Sequence, residues 1–272
     1  MDFAWGAVAF LTTTVLALGL RELLRVPALL KRNYADRDVV AGGGIIAVFG
    51  FVLAAALLTL VNRNRAGSMH DAVVLVVGFG VIGLLDDVVG NHGNRGFRGH
   101  LGALRRGQLT SGALKLVVGV GVAVVATLTD DGVVTQGLRV IVIAGCANVF
   151  NLLDLAPGRA TKVAVIVALP ALVLSGAHGH SLVGQIMFVS AVLALLPFEM
   201  REELMLGDAG ANALGAAIGS AWVVGLAGND LALGVAALVV VGINAAGELT
   251  SFSRIIERVP VLRAVDRLGR RQ

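Results

Sequence analysis

Charge is scarce in this sequence. Only 15% of the residues are Asp, Glu, Lys or Arg, against 57% hydrophobic, and the mean hydropathy is +0.86. That shortage excludes an ordinary soluble domain and makes the chain an integral membrane protein. Aromatic residues are also few, at 5%, so the apolar mass is Val, Leu, Ala and Ile, and 36 glycines let helices approach closely. The alternation of polar and apolar residues over segments of about ten, which marks a membrane barrel, is missing; long unbroken apolar runs recur instead. Lipid satisfies no exposed backbone group, so helices remain. The single cysteine, Cys146, excludes an intramolecular disulfide and leaves the redox compartment open. Inside an apolar run it reads as a core thiol. The net charge of +4 does not call for nucleic acid, because the basic residues lie beside the apolar runs.

Taking roughly 20 apolar residues per span, about nine spans are read: 3–20, 39–61, 71–89, 113–129, 137–155, 161–177, 182–198, 209–226 and 231–247. The first has no basic residue before it and no small-residue cleavage site after it, so it is kept as a span. Lys and Arg divide unequally between the two sides. One side holds Arg21, Arg25, Lys31, Arg32, Arg37, the arginines of the 90–110 loop, Lys115, Arg159, Lys162, Arg201 and the arginines of the C-terminal tail, while the other holds Arg63, Arg65 and Arg139. The expected architecture is an all-α polytopic protein of the plasma membrane, N-terminus outside and C-terminus cytoplasmic. Residues 1–250 form one transmembrane domain. In the tail, "SFSRIIERVPVLRAVDRLGRRQ", Ile255, Val259, Leu262, Val265 and Leu268 recur at helical spacing between arginines. Residues 251–272 thus read as an amphipathic helix, kinked at Pro260, that lies on the inner membrane surface or packs on the cytoplasmic loops.

The carboxylates are informative because the topology makes no use of them. In "GLLDDVVG" (83–90), Asp86 and Asp87 end the third span; Asp154 ends the fifth and Asp208 opens the eighth. All four arrive at the cytoplasmic rim, where carboxylates are costly and mark function. Hard oxygens there suit Mg²⁺, which takes one or two carboxylates and completes its shell with water and phosphate. Within "NVFNLLDLAPG", Asn148, Asn151 and Asp154 follow at steps of three and share a helix face. In "LMLGDAGANALGAAIG", Gly207 and Gly210 flank Asp208 at a helix start whose free amides favour phosphate. The loop "GNHGNRGFRGHLGALRRGQLTSGALK" adds Arg95, Arg98, Arg105, Arg106 and Lys115, cations able to neutralise a diphosphate. "AGGGII" (41–46) opens the second span on the same side, a weak phosphate-loop signal.

Each of these has a plainer reading. Asp208 can be a helix N-cap, Asp86 and Asp87 interfacial residues in water, Asn148 and Asn151 inter-helix hydrogen bonds, and the basic loop a topology signal. His92 and His100 read as solvated, and His178 and His180 fall on the outer side.

Three segments, "GLLDD", "NVFNLLD" and "MLGDAGANALG", together with "KRNYADRDVVAGGG" in the first cytoplasmic loop, resemble in order the motifs of the polyprenyl-phosphate N-acetylhexosamine-1-phosphate transferases, glycosyltransferase family 4. The resemblance covers nearly the whole chain. It implies Mg²⁺-dependent transfer of a sugar 1-phosphate from a nucleotide sugar, usually UDP-linked, to polyprenyl phosphate at the inner membrane face, releasing nucleoside monophosphate in cell-wall or surface-glycan synthesis. By the same resemblance Asp208 is a magnesium ligand, Asn151 lies near the metal and Lys115 faces phosphate. Asp86 and Asp87 would position the lipid phosphate or metal, and one accepts a proton. Asn148, Asp154, Arg105, Arg106 and Gly207 complete the expected substrate-binding set; a homodimer is compatible with it. The departures concern the donor. Leu155 and Pro157 stand where the family has Gly and a second Asp, Met205 stands for an aromatic residue, and a histidine-rich last loop and a tenth span are missing. An inactive member that binds lipid phosphate, and a transporter using rim carboxylates, are the alternatives.

Overall fold

The computed structural model describes residues 2–32, 38–89, 111–129, 131–176 and 182–270. Arg37, His92, Arg95, Arg98, His100, Arg105, Arg106, His178 and His180 lie outside the described residues. The helices are α1 (Asp2–Leu20), α2 (Gly43–Val61), α3 (Ala66–Val89), α4 (Ser111–Ala126), α5 (Val133–Leu153), α6 (Arg159–Ser175), α7 (Val183–Leu193), α8 (Leu196–Met200), α9 (Gly207–Gly225), α10 (Asp230–Leu249), α11 (Phe252–Arg258) and α12 (Pro260–Arg267).

Each expected apolar segment contains a helix, and among the described residues five stretches are long and apolar enough to cross a membrane: Phe3–Leu20, Gly43–Val61, Val133–Leu153, Val183–Met200 and Asp230–Leu249. This is an all-α membrane protein in its bulk. The expected eighth segment, α9, is built largely of Gly and Ala, and 15 of its residues are buried. It packs against α2, α3, α5, α6 and α7. A helix surrounded by protein needs small residues for close approach more than it needs greasy ones. Where such a helix carries a polar group it must be paired: Gln185 of α7 donates to Ser220 of α9 at 2.9 Å. The seventh segment divides at residues 194–195, where α8 restarts with Pro197 in its first turn, a place at which its missing N–H is not needed.

Two features depart from the all-helical expectation. The segment read as the start of the second span instead forms a strand. β1 (Leu30–Arg32) pairs antiparallel with β2 (Asp38–Val40), with Lys31 opposite Val39. The hairpin is stitched to the approach of α9: Met205 N donates to Val40 O at 2.8 Å, Gly43 N to Met205 O and Gly44 N to Leu206 O, each at 2.9 Å. These bonds satisfy the first amides of α2, which would otherwise be orphans. The tail is also two helices rather than one, because Val259 is extended (φ −97°, ψ 112°) before Pro260. A residue preceding proline is pushed out of the helical region.

Candidate active site

Gly83 decides where the aspartate pair goes. A Cβ there would collide with the Asp208 backbone carbonyl, so α3 can cross the start of α9 at backbone distance only because residue 83 has no side chain. One turn later Asp86 and Asp87 reach the first turn of α9.

The two aspartates then part company. Asp87 has no exposed side-chain surface and meets Lys31 Nζ at 2.6 Å. Its oxygens accept Asp208 N at 3.1 Å and Ala209 N at 3.0 Å. Asp87 is therefore the N-terminal cap of α9, supplied by another helix, at the end where the dipole favours an anion. Asp208 is not its own helix's cap; Leu206 occupies that position and no side chain caps from within. Gly207 has φ +68°, and a Cβ on it would stand 2.9 Å from Asp87 Oδ2. Its N–H faces the Asp154 carboxylate, which brings the C-cap residue of α5 to the same place.

Asp86 and Asp208 form the accessible half. Their carboxyls are within hydrogen-bonding reach of each other. Lys115 Nζ, from α4, lies 2.7 Å from Asp208 Oδ2 and 3.4 Å from Asp86 Oδ2. The side chains are 17% (Lys115), 23% (Asp86) and 25% (Asp208) exposed, open enough for a small ligand. Burial alone would lower the Lys31 ammonium, but Asp87 first, then Asp208 and Asp86, outweigh it and hold Lys31 above its ordinary value. Three carboxylates against two ammonium groups leave net negative charge. Such a set of hard oxygens can take up a cation or a proton and present ammonium groups to a phosphate. Among the described residues no group of three or more His, Cys, Asp or Glu is disposed to cage a metal ion. The donor set is a carboxylate pair, as fits Mg²⁺ that completes its shell with water and substrate phosphate.

The structure thus gathers Asp86, Asp87, Asp154, Gly207, Asp208 and Lys115. Asn148 is turned to another partner: its Nδ2 donates to Asn244 Oδ1 of α10 at 2.7 Å, the inter-helix role. Asn151 is half-buried one turn along, its carbonyl accepting Asp154 N at 3.3 Å. Arg105 and Arg106 lie outside the described residues. Lys31 and the hairpin were missed in the sequence, since Lys31 is one of several basic residues in its loop and no spacing singles it out. Cys146 lies in the α5–α9 contact, its backbone against Gly215.

Beside the cluster is a shallow depression lined by Val39, Leu155, Ala156, Pro157, Glu199, Glu202, Leu204 and Met205. Glu199 is buried; it accepts the Thr161 hydroxyl at 2.8 Å, and the Gly158 N–H faces it. Three of the residues that depart from the family pattern, Leu155, Pro157 and Met205, meet here.

No curated protein matches the chain. The family model described as Glycosyl transferase family 4 matches residues 69–226, more than half of the 272 residues, and the match contains both aspartates of the pair, Lys115, Asp154 and Asp208. The chain belongs to glycosyl transferase family 4.

Proposed function

We propose that the protein transfers a sugar 1-phosphate from a nucleotide-activated sugar, UDP-linked in the form we favour, to polyprenyl phosphate at the cytoplasmic membrane face. A phosphate oxygen of the acceptor attacks the sugar-bearing phosphorus of the donor. The bond to the nucleotide's own phosphate breaks, nucleoside monophosphate leaves, and a lipid-linked diphosphosugar remains.

The observation that carries this reading is one ammonium, Lys115, held between two accessible carboxylates, Asp86 and Asp208. Phosphoryl transfer asks a protein mainly for positioning and charge neutralisation. Asp86 and Asp208 would hold Mg²⁺, with the Asn151 amide nearby; when bound, the ion supplies charge neutralisation on the diphosphate. Lys115 turns to a phosphate oxygen, and Arg105 and Arg106 add positive charge from the adjoining loop. Asp86 accepts a proton from an incoming acceptor phosphate that carries one. Asp87 and Lys31 do no chemistry in this scheme; they fix the α9 N-terminus and hence Asp208. Asn148 acts through its helix contact, and Asp154 from its place beside Gly207. The cytoplasmic orientation is supported by the distribution of Lys and Arg along the chain.

A second reading, a lipid-phosphate-binding member without catalysis, is favoured by one observation: Pro157 and Met205 line the depression where the family resemblance leads one to expect a carboxylate and an aromatic ring. The experiment is incubation of purified protein with polyprenyl phosphate, Mg²⁺ and a panel of nucleotide sugars. Release of nucleoside monophosphate, abolished in Asp208→Asn, supports the transferase. Bound lipid phosphate with no release from any donor supports the second reading.

A further inference from the structure

The transferase scheme leaves one buried ion pair unused. Arg159, the first residue of α6, donates from Nε to Asp266 Oδ1 at 2.7 Å and from an Nη to Asp266 Oδ2 at 3.1 Å, while its other Nη donates to Ser253 Oγ at 2.9 Å. The two charged side chains are 6% and 3% exposed. A fork of this kind fixes orientation as well as distance. Near it, Lys162 Nζ donates to the carbonyls of Val265 at 3.2 Å, Asp266 at 2.7 Å and Leu268 at 3.0 Å, holding the C-terminal end of α12, where helical donors run out. Arg270 folds back onto Asp266. The inward side of the tail is thus docked on α6, whatever its outer face meets.

What the tail docks onto matters. Directly before Arg159 runs the turn Leu155–Gly158, which forms one wall of the depression. At its start the Asp154 carboxylate faces the Gly207 N–H, and at its end the Gly158 N–H faces Glu199. Gly158 is left-handed (φ +62°), and Met200, the last residue of α8, packs against both Gly158 and the tail's Gly269. The tail lines no wall itself, yet it grips the residues that anchor two of them. Glu199 and Glu202 make those walls acceptors of hydrogen bonds, suited to sugar hydroxyls or a nucleobase N–H and unsuited to a prenyl chain.

We propose that Asp266 is a positioning residue: through Arg159 it sets the Leu155–Gly158 turn against the non-reacting part of the nucleotide-sugar donor, so that the C-terminal tail is part of donor recognition. This rests on the transferase reading. Such a residue acts on donor binding and leaves the reacting groups alone.

The test is steady-state kinetics of the full chain with amide hydrogen exchange on the same samples. In Asp266→Asn the donor KM rises about tenfold while kcat and the KM for polyprenyl phosphate stay within about twofold, and Asp266→Glu recovers most of the loss. Should Asp266→Asn fail to fold, Ser253→Ala, which removes one acceptor of Arg159 and no charge, raises the donor KM about threefold. An unchanged donor KM, or equal loss in all three parameters, overturns the proposal. If the wild-type protein turns over no donor, the transferase reading falls, and exchange still decides what the tail does. Faster exchange at 155–162 in the variant, with 207–215 protected as in wild type, supports the tail as the positioning element; equal exchange at 155–162 overturns it.

Discussion

The Lys31 ammonium lies 2.6 Å from the carboxylate of Asp87, a side chain with no exposed surface, and that same carboxylate caps α9 through the amides of Asp208 and Ala209. One residue in a strand and one at the end of a helix thereby fix a third element, and Asp208 sits in its first turn.

Adjacent aspartates should therefore behave differently. Removing the Asp87 side chain orphans two buried amides and frees Lys31, so Asp87→Ala should cost about 2–5 kcal/mol of stability and lower the thermal midpoint in detergent. Asp86, 23% exposed and paired at 3.4 Å, holds no helix end. Asp86→Asn should unfold within about 0.5 kcal/mol of wild type and lose turnover. Equal destabilisation by both would refute the division of roles.

Lys115 separates two carboxylates that repel when it is gone. In Lys115→Met, turnover should fall at least about a hundredfold, and added Mg²⁺ should raise the thermal midpoint by more than in wild type, because a cation alone then relieves the Asp86–Asp208 repulsion. A midpoint with the same Mg²⁺ response in both proteins would count against the shared carboxylate pair.

The crossing at Gly83 gives a packing test. Its Cβ would meet backbone, which cannot step aside as a side chain can, whereas nothing lies within 4 Å of a Cβ at Gly121. Gly83→Ala should destabilise by about 1–3 kcal/mol or more and abolish turnover by displacing both aspartates. Gly121→Ala on α4 should be neutral or stabilise by up to about 1 kcal/mol. A tolerated Gly83→Ala would mean that α3 and α9 do not cross as described.

Much of this was legible in the sequence, and the rest for physical reasons was not. Asp86, Asp87, Asp154 and Asp208 stood out because charge beside long apolar runs is conspicuous, and the helices followed from the same runs. The division of labour between Asp86 and Asp87 was hidden, since it depends on which of two neighbours points toward a helix that begins 120 residues later. The strand at Asp38–Val40 was hidden as well: three residues running into a glycine triplet carry no period long enough to distinguish strand from helix. Asn148 looked like a ligand because it shares a face with Asp154, but its partner Asn244 comes from a helix whose placement no local pattern announces. The tail's amphipathic spacing pointed to helix and was blind to Arg159, which read only as one more basic residue at a membrane boundary.

Acid should undock the tail in a narrow window. Burial by itself would raise the Asp266 carboxyl, but Arg159 first, then Arg270 and Lys162, outweigh it and hold it below its ordinary 3.8. The free tail therefore takes up a proton at higher pH than the docked tail. Docking is present in full above the ordinary value and is lost as pH falls through the lower, docked value. Lys31 is held above its ordinary 10.5, so its pair with Asp87 is intact below that and fails only as pH rises further. Protease cutting at 251–259 should stay flat between about pH 5 and 10 and increase below about pH 4. Release of the tail near neutral pH would contradict the docked pair.

The most direct measurement is nucleoside monophosphate release by the purified protein with polyprenyl phosphate, Mg²⁺ and a panel of nucleotide sugars, wild type beside Asp208→Asn. The account predicts release from at least one donor, dependent on both lipid phosphate and Mg²⁺, and lost by at least about a hundredfold in the variant. Release that persists undiminished in Asp208→Asn, or no release from any donor by wild-type protein that binds the lipid phosphate, would contradict it.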